Sequence, residues 1–96
     1  MYVKMHIRRE NTVVAIADKE LIGKKFEEGK LQLEVTESFY KGELKSEKEV
    51  LAILEEATNL NIVGAKIINL ALKQNIIQEE NILRIQNTPH ACIFSV

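Results

Sequence analysis

The sequence predicts an α+β fold: a four- or five-stranded mixed or antiparallel sheet with two main helices packed on one face, in the order β-β-(short α)-β-α-α-β-β. Three observations carry that expectation. Apolar residues alternate with polar ones through the first third of the chain, the period of a half-buried strand. After Glu43 the period changes to that of a helix, and from Ile82 onward strand composition returns. Runs of strands separated from runs of helices read as α+β.

The first element is a hairpin. Val3, Met5 and Ile7 alternate with Tyr2, Lys4, His6 and Arg8, the polar stretch Arg9–Thr12 follows, and Val13–Ala17 is a second run of strand formers. Asp18 is an N-cap for a short helical turn over Lys19–Gly23. Phe26 is a core plug, and Glu27–Lys30 turns into a third strand beginning at Leu31. There Leu31, Leu33 and Val35 face one way and Gln32, Glu34 and Thr36 the other. If the alternation continues, Glu37 lands on the apolar side. The alternative is a strand that ends at Thr36 and leaves Glu37 to cap a loop or pair with Arg8 or Lys24.

Ser46 with Glu49 three residues later matches a capping box, behind which Val50, Leu51, Ile53, Leu54 and Ala57 fall on one helical face. Thr58–Asn61 reads as the break after this helix, with Asn61 capping the next. Val63, Ile67, Leu70 and Ala71 make the stripe of that second helix. Gly64 near its start implies a close backbone approach, and Asn75 a left-handed C-terminal stop. Ile82–Ile85 is a short strand, Thr88-Pro89 a turn (a site where a cis bond is conceivable), and Ala91–Val96 a last strand apolar on both sides. Such a strand is central in its sheet, lies under the helices, or pairs with another chain.

Composition narrows the function classes. Ninety-six residues, 46% of them hydrophobic, make one domain over residues 1–96 with one modest core. Neither a signal peptide nor a membrane span is visible, which implies a soluble, cytoplasmic protein. A net charge of −1 supplies no overall footprint for nucleic acid, so any such contact must be a local patch. Two histidines, one cysteine and four scattered glycines fit neither a metal motif nor a phosphate loop. The expectation is therefore no cofactor and no metal. The lone Cys92, in an apolar run, reads as a small buried thiol.

Chemistry could gather at two groups. A carboxylate at Glu37 facing the core would have its pKa raised and could act as acid or base, or hold an amine. His90, behind the sole proline, could exchange a proton near neutrality. Ser38 is a poor partner for Glu37, because adjacent strand residues point to opposite faces. His6 alternates with cations and reads as solvated. Tyr2, Lys4, His6 and Arg8 together would form a basic, partly aromatic stripe on an open sheet face, with Lys24, Lys25, Lys41 and Lys45 extending it, an arrangement suited to RNA.

The segments ADKELIGKKFEEGKLQLEVTESFYKGEL, NIVGAKIINLALKQNIIQEENILRI and TPHA, with their Glu37-Ser38-Phe39-Tyr40, Gly42, Asn61-x-x-Gly64 and Pro89-His90-Ala91 pieces, resemble an archaeal family known as domain of unknown function 424. The resemblance runs over nearly the whole chain. It implies a small archaeal cytosolic α+β protein, and an archaeal spread suits a part in translation. The leading expectation is a non-enzymatic binding module for RNA or a ribonucleoprotein, with Arg8, Glu37, Ser38, Tyr40, Lys41 and His90 as candidate site residues. Its rivals are a small-molecule site or enzyme in which Glu37 and His90 converge, and a homodimer joined through the C-terminal strand.

Overall fold

The computed structural model describes residues 1–94. Eight strands and three α-helices succeed one another along them: β1 (Tyr2–Arg8), β2 (Asn11–Ala17), β3 (Lys25–Glu28), β4 (Leu31–Glu34), α1 (Glu37–Tyr40), β5 (Glu43–Leu44), α2 (Glu47–Glu56), β6 (Asn59–Val63), α3 (Ala65–Lys73), β7 (Ile82–Ile85) and β8 (Thr88–Phe94). Six strands form one mixed sheet in the order β5-β1-β2-β6-β8-β7, while β3 and β4 form a separate hairpin. The α+β class holds, but the sheet is larger than the four or five strands expected.

The added central strand is β6. Asn59 and Asn61 suggested a break, yet the segment alternates: Leu60 and Ile62 face the helices, Asn59 and Asn61 the other way. It pairs in parallel with β2 (Val14 opposite Leu60, Ile16 opposite Ile62) and antiparallel with β8 (Asn61 opposite Cys92, Val63 opposite His90). Burial of Leu60 and Ile62, both essentially inaccessible, outweighs the low strand propensity of asparagine. Asn61 thus caps no helix.

Both faces of the sheet are covered in part. On one, Val14, Ile16, Leu60, Ile62 and Ala91 pack against Val50 and Leu54 of α2 and Ile67, Ile68, Leu70 and Ala71 of α3. On the other, Ala15, Ala17, Val63 and Ile85 meet Leu33, Val35 and Tyr40, with Phe26 and Phe39 half-buried beside them. The β3–β4 hairpin and α1 therefore cap one end of the face that the sequence suggested was open.

Several local signals behave as expected. Ser46 and Glu49 exchange the two bonds of a capping box at α2 (Glu49 N–H to Ser46 Oγ, 3.2 Å; Ser46 N–H to Glu49 Oε1, 3.0 Å), and Asn75 is left-handed at φ 57° past α3. Others differ. Asp18 precedes a short 3₁₀ turn at Lys19–Leu21, but its carboxylate makes no bond there. It reaches 48 residues onward to accept the amides of Lys66 (2.8 Å) and Ile67 (3.0 Å), capping α3. Gly64, at φ 120°, is the close approach: a Cβ there would run into the Asp18 carboxyl. The turn expected at Thr88-Pro89 lies one step earlier, at Gln86 and Asn87 (φ 50° and 63°), where amide side chains tolerate the left-handed region; Thr88 and Pro89 open β8, and no peptide bond among the described residues is cis.

The C-terminal strand lies inside the sheet, paired to β6 over His90–Phe94 and to β7 over Thr88–Ala91. A partner strand could add to it only beyond Ala91; Ser95 and Val96 lie outside the described residues. Cys92 is exposed, not buried, because its face of β8 runs out from under the hairpin. Among the described residues, no helix is long and apolar enough to cross a membrane.

Candidate functional site

Strand pairing sets side chains in rows across the face opposite α2 and α3. One row is Lys4, Ala15, Asn61 and Cys92; the next is Tyr2, Ala17, Val63, His90 and Leu83. Asn61 and His90 are diagonal neighbours on adjacent strands, within reach of one another.

Onto these rows α1 drops Phe39 and Tyr40. Thr36 caps this single turn by accepting the Phe39 amide (3.2 Å). The amides of Lys41 and Gly42 take the carbonyls of Glu37 and Tyr40, but a helix so short leaves those of Ser38 and Phe39 without partners of its own, and β1 supplies donors for them. Lys4 Nζ donates to the Ser38 carbonyl (2.6 Å) and His6 Nε2–H to the Phe39 carbonyl (2.7 Å). The His6 ring also stacks on Phe39, centroids 4.4 Å apart and 15° from parallel, and Phe39 meets Tyr40 edge-on at 4.8 Å. His6 is accordingly half-buried and bonded, contrary to the solvated reading. The basic stripe is broken here too: Lys4 and His6 hold α1, Lys25 pairs with Glu27 and Glu34, and Lys45 with Glu43 and Glu49.

At the centre of the face, Asn61 Oδ1 accepts two hydrogen bonds: from the Tyr40 hydroxyl (2.6 Å) and from His90 Nε2–H (2.8 Å). The first is the length of an O–H···O bond, shorter than the usual amide donor distance of about 2.9 Å. Cys92 Sγ lies 3.6 Å from the same Nε2. Burial pushes the Tyr40 phenol up, with Cys92 adding to the rise, and pushes the His90 imidazole down, while partial desolvation pushes the thiol of the exposed Cys92 up.

Those proton positions decide what the cluster can do. The His90 nitrogen nearest Cys92 already carries a hydrogen, committed to Asn61, so it cannot accept the thiol proton. Partial desolvation keeps the sulfur of the exposed Cys92 as thiol, and burial keeps the His90 ring as neutral imidazole near pH 7. A nucleophile with its base, which the Cys-His-Asn composition might suggest, is not assembled.

Beside this network, the uncovered end of the sheet face opens as a cleft of about 530 Å³, within the range of small-ligand sites. His6, Arg8, Asn11, Val13, Phe39, Asn61 and Phe94 line it. Phe94 is 65% exposed, an unusual position for so large an apolar ring. No carboxylate is among the lining residues, and Arg8 provides a cation.

The expected site residues fare unequally. Arg8 lines the cleft, while Tyr40 and His90 converge on Asn61 behind it. Ser38 is exposed: its carbonyl takes Lys4, and its hydroxyl donates weakly to Thr36 (3.4 Å). Glu37 does not face the core. The strand ends at Glu34, Thr36 becomes the helix cap, and Glu37 sits exposed in the first turn of α1, its carboxylate without a hydrogen bond or ion pair among the described residues. Lys41 is exposed at the end of the same helix. The group that joins His90 is therefore Tyr40, through Asn61, instead of Glu37. Asn61, Phe39 and Phe94 went unrecognised in the sequence; the alternation of Asn59 and Asn61 with Leu60 and Ile62 was the available signal.

A family model described as "Protein of unknown function (DUF424)" matches residues 5–96. The chain belongs to the DUF424 family. Among solved structures, this DUF424 chain is similar to an uncharacterized conserved protein from Methanopyrus kandleri, with a TM-score of 0.75 at 18% identity, covering 99% of this chain and 93% of that one. At that identity the likeness speaks for the fold alone. No curated protein matches the chain. The DUF424 motif pieces now have places: SFYKG is α1 with its turn into β5, the Asn61-x-x-Gly64 piece carries both the shared acceptor and the Asp18 contact, and Pro89-His90-Ala91 opens β8.

Proposed function

We propose that this DUF424 protein is a non-enzymatic binding module for single-stranded RNA, free or within a ribonucleoprotein, and that the cleft between the His6–Phe39 stack and Phe94 is its contact surface. The observation that carries this reading is the lining: aromatic rings on two sides, an arginine, two amides and no carboxylate. A planar base with an attached phosphate satisfies all of these at once, since rings stack on bases whatever their sequence and a guanidinium pairs with phosphate. The protein's overall charge of −1 confines the attraction to this patch, so binding should be modest and salt-sensitive. The inert proton state of Cys92 and His90 speaks for binding over catalysis.

Fluorescence anisotropy of a short labelled single-stranded RNA tests this. Retention should appear at about 50 mM salt and weaken toward 200 mM, with a slope of only one or two phosphate contacts, each roughly −0.7 for single strands. Phe94→Ala should remove a stacking platform and weaken binding at least about fivefold, as loss of one base stack does. Arg8→Ala should flatten the salt slope. If the protein retains no single-stranded RNA at low salt, the proposal is wrong.

A further inference from the structure

We infer that Asn61 is the residue that reads the bound base, and that it favours a base that turns an oxo group toward it, as uracil does with O4, over one that turns an amino group to the same place, as cytosine does with N4. This rests on the RNA reading above and adds to it a rule of selectivity. An asparagine side chain offers an acceptor and two donors, and by itself it discriminates nothing, because it can rotate to present either. Here rotation is blocked. The Tyr40 hydroxyl and His90 Nε2–H both donate to Oδ1, at 2.6 and 2.8 Å. Turning the amide over would set Nδ2 only 2.6 Å from the Tyr40 oxygen, too short for an amide donor, and would require the His90 hydrogen to move to Nδ1.

The consequence is a one-sided hydrogen-bond surface. Oδ1 is occupied from behind, and Nδ2 makes no hydrogen bond among the described residues. It is not sealed off, since no side-chain nitrogen or oxygen among them is both buried and unpartnered. Asn61 lines the cleft, so what it presents to a ligand is N–H. A uracil O4 accepts from such a group. A cytosine N4 amine opposes it donor to donor, and a site built to meet one pattern rejects the other because its own polar group is left unpaired. Tyr40 and His90 touch no ligand in this arrangement; they are positioning residues whose hydrogens fix the amide.

The comparison is between oligouridylate and oligocytidylate of equal length, which differ in the 4-oxo or 4-amino group and its ring nitrogen. The native protein should bind the uridine oligomer about three- to tenfold more tightly, the weight of one hydrogen bond and its unpaired alternative. Inosine in place of a single adenosine in an otherwise weak oligomer should raise affinity in the same direction. Asn61→Asp turns the donor facing the cleft into an acceptor. All RNA should then bind more weakly, but the ratio of the two oligomers should fall to unity or invert. Tyr40→Phe, which removes one anchoring hydrogen without adding charge, should shrink the ratio while leaving the salt slope as it was. Both variants are checked for native melting beforehand, and the native-protein ratio stands whichever variant folds. Binding of both oligomers with equal strength, or a preference for cytidine, overturns the inference and leaves the RNA reading intact. Binding of neither at low salt overturns both.

Discussion

Replacing Asp18 with alanine should cost this protein a large share of its stability, although residue 18 lies 48 positions before the helix it serves. Asp18 is 2% exposed, and its two oxygens accept the amides of Lys66 and Ile67, two of the orphan donors at the start of α3. Losing an N-cap costs about 1 kcal/mol. Leaving the buried Ile67 amide without an acceptor adds about 1–3 kcal/mol, because no water replaces the carboxylate. Burial pushes the Asp18 carboxyl upward, more than the two amides pull it down, so part of the gain is already offset by removing a charge from water, and the lower half of that range applies. The net expectation is a loss of about 2–3 kcal/mol, a fall in Tm of about 10–20 °C for a domain this size. Asp18→Asn, which keeps one acceptor, should lose roughly half as much. Gly64→Ala is the companion, since its Cβ would strike the Asp18 carboxyl while its φ of 120° stays strained. In the Asp18→Ala background the collision disappears and only the backbone strain remains, so the double variant should be more stable than the sum of the single losses predicts. Thermal and urea denaturation monitored by circular dichroism measure the native protein and the four variants. A single Asp18→Ala variant that melts within about 3 °C of the native protein, less than 1 kcal/mol by the same scaling, would refute the capping argument, and strict additivity would refute the contact with Gly64.

Two further outcomes test the proton positions. Burial lowers the His90 pKa, so near neutrality folded and unfolded chains both hold it uncharged and it contributes no pH dependence. As pH drops below its ordinary value of about 6.5, the unfolded chain takes up a proton that the native protein refuses, and stability declines until the lower native pKa is passed. NMR titration should place the His90 midpoint below that ordinary value, and His90→Gln should remove this part of the acid sensitivity; a midpoint above it would mean that the ring is held as a cation. Cys92 is exposed yet should react with a disulfide reagent at pH 7 no faster than an unfolded peptide thiol, its rate climbing only as pH approaches the raised thiol pKa. Rapid labelling at neutral pH would show that His90 does serve it as a base.

Sequence alone determined the features whose causes are local. Ser46 and Glu49 satisfy each other's amides within one turn, Asn75 needs only its own tolerance of positive φ, and the alternation of Val3, Met5 and Ile7 orients β1 whatever it pairs with. The conclusion that Gly64 is approached closely also followed from its residue type, although the φ of 120° it adopts at the start of α3 calls for glycine as well. What the tertiary structure decided is every choice made by a distant partner. Asp18 has two acceptor oxygens and could cap the turn beside it, but α3 brings buried amides to it that water cannot reach. Asn61 looked like a break until Tyr40 and His90 supplied donors for its oxygen, making a polar residue tolerable inside the sheet. Glu37 turned outward because Thr36 took the cap of α1, and Lys4 and His6 were drawn inward because that short helix leaves carbonyls open. Hydrophobic period and a capping box such as Ser46–Glu49 are decided within four residues, whereas a buried polar group settles only where the folded chain brings it a partner, and those partners lie 21 to 49 residues away in sequence.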